Sequence, residues 1–190
     1  GYSATKNFAN SLANGDFILS IDADEELSPE LIRSIQEFKK NPVAAACQIN
    51  RLTNYCGQWI RHSGWYPEYK IRIFRKGEAE WRGTVHEDLF FNASCRPVRL
   101  KGNLFHYSFP TLESHVKKMI SYSALAAEKD YTKGKKYYLL VHGLVKPWFA
   151  FMRTYFFQAG FLDGFYGFVI AVSTGYERFL RYAKFRSLKK

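Results

Sequence analysis

The sequence predicts an α/β fold followed by a helical, aromatic-rich and basic C-terminal extension. Three observations carry that expectation. The opening stretch alternates helix, strand, acidic loop and helix signals. Residues 69–75 alternate as a strand, with Ile71 and Ile73 on one side and Lys70 and Arg72 on the other. From Trp148 to Phe168, ten of 21 residues are aromatic, and from Lys135 to the end ten Lys/Arg face only Asp163 and Glu177. That tail holds +8 of the net charge of +11. The predicted division is residues 1–110 for the α/β part and 111–190 for the extension.

Taken in order, residues 2–13 place Ala4, Phe8 and Leu12 at helical spacing, and Asn14-Gly15 supplies a stop. Residues 17–21 form an apolar run of strand length, read as a strand buried on both faces. Asp22, Asp24, Glu25 and Glu26 follow at once. Ser28-Pro29-Glu30 then opens a helix, with Ser as N-cap, Pro in the first turn and Glu near the N-terminal dipole. Its apolar face is Leu31, Ile32, Ile35 and Phe38, and Asn41-Pro42 ends it. Residues 44–52 and 100–107 read as strands, residues 60–67 as a Gly/aromatic loop and residues 111–129 as an amphipathic helix.

Two further helical segments are expected, residues 138–158 and 163–185, joined at Ala159-Gly160. Lys146, Pro147 and Arg153 interrupt the first, and Asp163 and Arg178 bound only 14 residues in the second, below the ~20 of a membrane span. Arg178, Arg181, Lys184 and Arg186 edge the apolar surface, a pattern suited to lying on an anionic membrane. A hairpin packed on the domain or on a partner subunit satisfies the same pattern.

The composition bounds the function. At 190 residues and 47% hydrophobic, the chain can bury a core of one domain. Three cysteines, Cys47, Cys56 and Cys95, with no CxxC, argue against a disulfide framework or a zinc ribbon. The basic balance calls for an anionic partner. Nucleic acid is disfavoured, because no RNP-like aromatic pattern or helix-turn-helix signal accompanies it.

Asp22-Ala23-Asp24 stands at the predicted C-terminal end of a strand, the end where open α/β sheets bind ligands. Two carboxylates there suit Mg²⁺ or Mn²⁺, which keeps waters and bridges to substrate phosphates. An EF-hand loop is excluded: Leu27 stands where its sixth-position Gly belongs, and Arg33 where its twelfth-position Glu belongs. A solvated loop whose acids favour the next helix N-terminus remains the simpler alternative.

The run GDFILSIDADEELSPEL resembles the D-x-D segment of family 2 glycosyltransferases, the inverting GT-A class. RLTNYCGQWIRHSGWYPEYKIRIFRKG, WRGTVHEDL, LFHYSF, GFLDGFYGFVIAV and RYAKF resemble, in order, bacterial glucosyltransferases of lipopolysaccharide core assembly. The resemblance implies a partial GT-A (Rossmann-like) mixed sheet, a nucleotide-sugar donor such as a UDP-hexose, and Mg²⁺ or Mn²⁺. It makes Asp24 the direct metal contact. Asp22 would touch the donor or help hold the metal, and Lys6 and Asn7 would lie near the donor. GT-A enzymes carry a nucleotide-binding half before the D-x-D. Here the motif comes at residue 22 of a chain opening GYSATKNFANSLANG, so that half is expected to be missing from it.

Inverting transfer needs a base on the side of the sugar opposite the diphosphate. By resemblance the V-H-E block holds it: Glu87 first, Asp88 second, with His86 orienting the base or reaching the metal, and counted among the acceptor contacts. A surface turn is the plain alternative for these three. Trp65, Tyr66 and Trp81 would stack on acceptor sugars or else fill the core. Arg72 and Arg75 would meet the diphosphate or an anionic acceptor, or else are strand-edge charge. The implied protein transfers a hexose, glucose first, to a lipid-linked saccharide, as a cytoplasmic enzyme peripheral to the inner face of the inner membrane. A non-catalytic membrane-surface adaptor with a remnant fold is the alternative.

Overall fold

The computed structural model describes residues 2–83, 88–92 and 94–189. They group into two compact units: residues 1–52 with 68–106, and residues 53–67 with 107–190.

The first unit is α/β. Helix α1 (Tyr2–Leu12) leads to strand β1 (Phe17–Leu19), the acidic turn and strand β2 (Glu25–Leu27). Helix α2 (Pro29–Lys40) starts as its sequence dictates: the Ser28 hydroxyl accepts the Leu31 N–H at 3.2 Å. The same oxygen accepts the Asn103 N–H at 3.0 Å, which ties the cap to strand β8 (Val98–Phe109). The approach is close enough to need Gly102: its φ is +92°, and a Cβ there would lie 2.4 Å from the Leu31 backbone N. Strands β3 (Ala46–Tyr55) and β5 (Glu68–Arg75) complete the sheet, in the order β1-β5-β3-β8-β2, with the short β4 (Gln58–Trp59) paired to β3. The pairs β1/β5, β3/β5, β3/β4 and β2/β8 are antiparallel.

Alternation sorts the side chains by face. Cys47, Ile49, Ile73 and Leu104 pack with Leu31 and Phe38 of α2. Ala46, Phe74 and Ile18 pack with Trp81 of the hairpin β6 (Ala79–Arg82)/β7 (Asp88–Phe91). One expectation fails here. Strand β1 is buried only in part: Phe17 packs against one core cluster and Ile18 lies in the other, whereas Leu19 and Ile21 are exposed, since β1 ends the sheet path and among the described residues pairs with β5 alone.

The second unit is mainly helical. The side chain of Thr111 caps helix α3 (Leu112–Thr132). A π-helical segment, Leu139–Val145, runs into α4 (Lys146–Met152) and a second π-helical segment, Arg153–Phe157. After a 3₁₀ turn, Gly160–Asp163, helix α5 (Gly164–Ser187) closes the unit. The two expected helical segments are therefore present, and the reversal falls at Ala159, whose φ is +52°. A Cβ on Gly167 would meet the Gly160 carbonyl oxygen at 1.8 Å, so this hairpin closes only around glycine. Among the described residues no single helix is long and apolar enough to cross a membrane; the stretches Leu139–Phe157 and Gly160–Ser187 are bent by 71° to one another.

Candidate functional site

The acidic turn is built by the ends of β1 and β2 in the first unit. Its carboxylates are not equivalent. Asp22 Oδ1 lies 3.2 Å from Lys6 Nζ, and its Oδ2 accepts Arg72 at 3.0 Å. Burial pushes the Asp22 pKa up, but Arg72 and Lys6 outweigh it and hold the carboxyl below its ordinary value. Glu25 has no exposed side-chain surface; it accepts the Asp22 N–H at 2.9 Å and forms a short ion pair with Arg72. Burial dominates there and raises the Glu25 pKa despite the Asp22 N–H and Arg72. Asp24 is half-exposed, and its Oδ2 stands 3.4 Å from Nε2 of His106 on β8.

The ion pairs continue beneath the turn. Arg51 reaches Glu25 at 3.9 Å and Glu68 at 2.6 Å, and Lys70 meets Glu68 at 3.2 Å. Arg51 and Lys70 outweigh burial and hold the Glu68 carboxyl below its usual range. Lys6, Asp22, Arg72, Glu25, Arg51, Glu68 and Lys70 thus alternate in sign along one network.

The structure therefore brings Lys6, Asp22, Asp24 and Arg72 together and gives other expected residues different work. Arg72 is 6% exposed, held under the turn where it positions Asp22 and Glu25 rather than standing at the strand edge to meet an acceptor. Both ends of the Asn7 amide are committed to the Trp81 backbone, at 2.9 and 2.8 Å. Trp81 is a core residue against Phe74, with Lys6 Nζ 4.7 Å from its ring centre. Asp88 is exposed at the start of β7, in register opposite Arg82. His86 and Glu87 lie outside the described residues. In the second unit, Trp65 packs with Tyr55, Phe109 and His115, and Tyr66 is half-buried beside it in sequence. Two residues outside the expected site set matter here, Glu25 and His106. The Glu25–Arg72 and Asp24–His106 pairs join residues far apart in sequence, and no local pattern announces them.

A divalent cation can be tested against this geometry. Among the described residues no group of three or more His, Cys, Asp and Glu is placed to hold one. Asp22 is taken by two cationic side chains. Asp24 offers oxygen toward solvent and His106 an adjacent imidazole. This suits a Mg²⁺ or Mn²⁺ that takes one or two protein donors and fills its other positions with water and phosphate oxygen.

Residues 1–99 match the profile described as Glycosyl transferase family 2. The chain belongs to that family. Uncharacterized glycosyltransferases from three Rickettsia species are similar along nearly its whole length. The Rickettsia typhi protein is 34% identical over 99% of this chain and 68% of its own length. The Rickettsia prowazekii protein is 33% identical over the same shares, and that of Rickettsia bellii 32% over 99% and 67%. Membership makes this chain a glycosyltransferase at the family level, with a nucleotide-sugar donor and an acceptor as its substrate classes.

Proposed function

We propose that this glycosyltransferase moves a hexose, glucose first, from a UDP-hexose to a lipid-linked saccharide such as lipopolysaccharide core, with inversion and assistance from Mg²⁺ or Mn²⁺. The observation that carries the reading is the separation of the two aspartates: Asp22 is neutralised by Lys6 and Arg72, and Asp24 is left open beside His106. A bound divalent cation would neutralise the charge that develops on the departing diphosphate. Asp24 and His106 would hold that cation, and Arg72 and Glu25 keep the turn that presents Asp24 rigid.

In the transfer itself the acceptor hydroxyl oxygen forms a bond to the anomeric carbon as the bond from that carbon to the diphosphate oxygen breaks. The hydroxyl proton passes to a carboxylate on the acceptor side, assigned to Glu87, with Asp88 as its neighbour and His86 orienting it. Lys6 would add a positive charge near the donor. Trp65 and Tyr66 are the remaining candidates for acceptor contact. The exposed apolar and basic surface of the second unit supports peripheral attachment at the cytoplasmic face of the inner membrane, where lipid-linked acceptors are presented.

The decisive assay is a donor screen with Mg²⁺ and Mn²⁺ on the full protein and its Asp24→Ala variant. Metal-dependent transfer is expected to fall at least ~100-fold in the variant. Unchanged transfer would sink the assignment. Failure of the wild-type protein to turn over any nucleotide sugar would favour the adaptor reading.

A further inference from the structure

The second unit contains a cleft of about 280 Å³ that the candidate site does not use. Five cations line it: Lys135, Lys136, Lys146, Arg178 and Arg181. One buried carboxylate, Asp130, serves two of them, with Lys135 Nζ at 2.7 Å and Arg181 Nε at 2.8 Å, and it also accepts the Tyr137 hydroxyl. Burial opposes ionisation of Asp130, but these donors hold its carboxyl far below the ordinary range, so it stays charged and keeps the floor in place. The Tyr137 ring stacks on His142 at 4.2 Å and on Phe185 at 4.1 Å, which fixes one wall.

Lys136, Lys146 and Arg178 have no carboxylate partner among the described residues. Three uncompensated positive charges converging on one cleft repel one another unless an anion joins them. The volume lies just below the range of small-molecule pockets, about 300–1,000 Å³, which suits a headgroup better than a nucleotide sugar. The source of the anion is indicated next door. The segment that supplies Tyr137, His142 and Lys146 also carries Tyr138, Leu139, Leu140, Leu144 and Val145, each more than half exposed. Apolar side chains in the open beside a basic cleft match an interfacial helix, which sinks its apolar face to the acyl boundary and holds its cations at phosphate level.

We propose that this cleft binds the phosphate headgroup of an anionic membrane lipid, with Lys136, Lys146 and Arg178 as its phosphate contacts. The proposal rests on the membrane-surface part of the proposed function, and not on the transfer chemistry.

The test is flotation of the full protein with vesicles of phosphatidylcholine alone and of phosphatidylcholine with phosphatidylglycerol. It compares the wild type, a cleft variant (Lys136→Gln, Lys146→Gln, Arg178→Gln) and an equal-charge control in the first unit (Lys39→Gln, Lys40→Gln, Lys101→Gln). The wild type and the control should bind phosphatidylglycerol vesicles at least ~10-fold more tightly than the cleft variant. In the wild type, a phosphatidylglycerol with a headgroup photoprobe should label the peptides spanning residues 135–146 and 178–181. This second reading holds even if the cleft variant folds poorly. Equal loss in the control, or labelling elsewhere, overturns the cleft and leaves membrane attachment standing. Binding of inorganic phosphate that the cleft variant loses, with vesicle binding unchanged, assigns the site to a soluble phosphate and overturns the lipid. No vesicle binding by the wild type overturns both the headgroup site and the attachment, and leaves the Asp24→Ala result to judge the transfer reading alone.

Discussion

Replacing Arg72 with Met tests whether the buried network beneath the acidic turn holds the first unit together. Met keeps much of the alkyl volume and removes the charge. Glu25, with no exposed side-chain surface, would keep only the Asp22 N–H and Arg51 at 3.9 Å. Breaking a buried pair by removing one partner costs about 3–5 kcal/mol, and the surviving Glu25 contacts place this case near ~3 kcal/mol. Asp22 is 39% exposed and retains Lys6, so its loss adds less than ~1 kcal/mol. The sum, about 3–4 kcal/mol, corresponds to a melting temperature lower by roughly 10 °C for a chain of this size. The effect also depends on pH. Glu25 has a raised folded pKa, so its contribution is full below the unfolded value of ~4.3 and declines as pH rises through the folded value. Asp22 has a depressed one, so its contribution is present above ~3.9 and is lost as pH falls through the folded value. Removing Arg72 raises both folded pKa values, so the deficit of the variant is largest near neutral pH and narrows toward pH ~5 and below. Urea denaturation followed by circular dichroism at pH 7.5 and pH 5 measures it. A deficit under ~1 kcal/mol at neutral pH, or one equal at both pH values, would refute the reasoning.

Two further outcomes follow from other buried groups. The Asp163 carboxylate, 3% exposed, accepts the Arg61 and His62 N–H groups, both at 3.0 Å, and the Ser63 hydroxyl at 2.8 Å. Asp163→Ala strands the buried Ser63 hydroxyl and the His62 N–H, so a loss of about 2–4 kcal/mol is expected in thermal melts, with hydrogen exchange rising in residues 60–64. Cys47 is buried and its thiol is pushed up to about 11, chiefly by burial. Iodoacetamide at pH 8 should therefore leave it unlabelled in the folded protein and label it after denaturation, as mass spectrometry of its peptide would show.

How much was legible in the sequence follows the range of each signal. The start of α2 was readable because Ser28, Pro29 and Glu30 act within one turn. The D-x-D at a strand end was readable because the apolar run, the acids and the cap are contiguous. The exposure of β1 was not, since an apolar run of three to five residues looks the same at the centre of a sheet and at its edge. Glu25 and Arg72 lie 47 residues apart, and β5 with β2 must form before either finds the other. Trp81 reads equally as a sugar platform or a core residue until its contacts with Phe74 and α1 decide. In the second unit, the helices were legible from their apolar, aromatic runs and their reversal from Ala159-Gly160, whereas the π-helical segments have no signal in composition.

The charge arrangement at the turn explains why two aspartates two residues apart can serve different ends. Among the described residues, Lys6, Arg72, Arg51 and Lys70 alternate with Asp22, Glu25 and Glu68 in one chain of ion pairs, and Asp24 pairs separately with His106. On the function proposed, a cation arriving alone at Asp24 would meet one carboxylate and one imidazole with the cationic Lys6 and Arg72 nearby, which makes a poor site. On the function proposed, a diphosphate would reverse that balance, because Lys6 and Arg72 would attract its negative charge and its oxygens would supply further ligands to the cation. On the function proposed, donor and metal are therefore held as one complex, and the buried Glu25–Arg72 pair keeps Asp22 from competing for the cation. On that reading the acidic turn would prefer a metal-bound diphosphate over either component by itself.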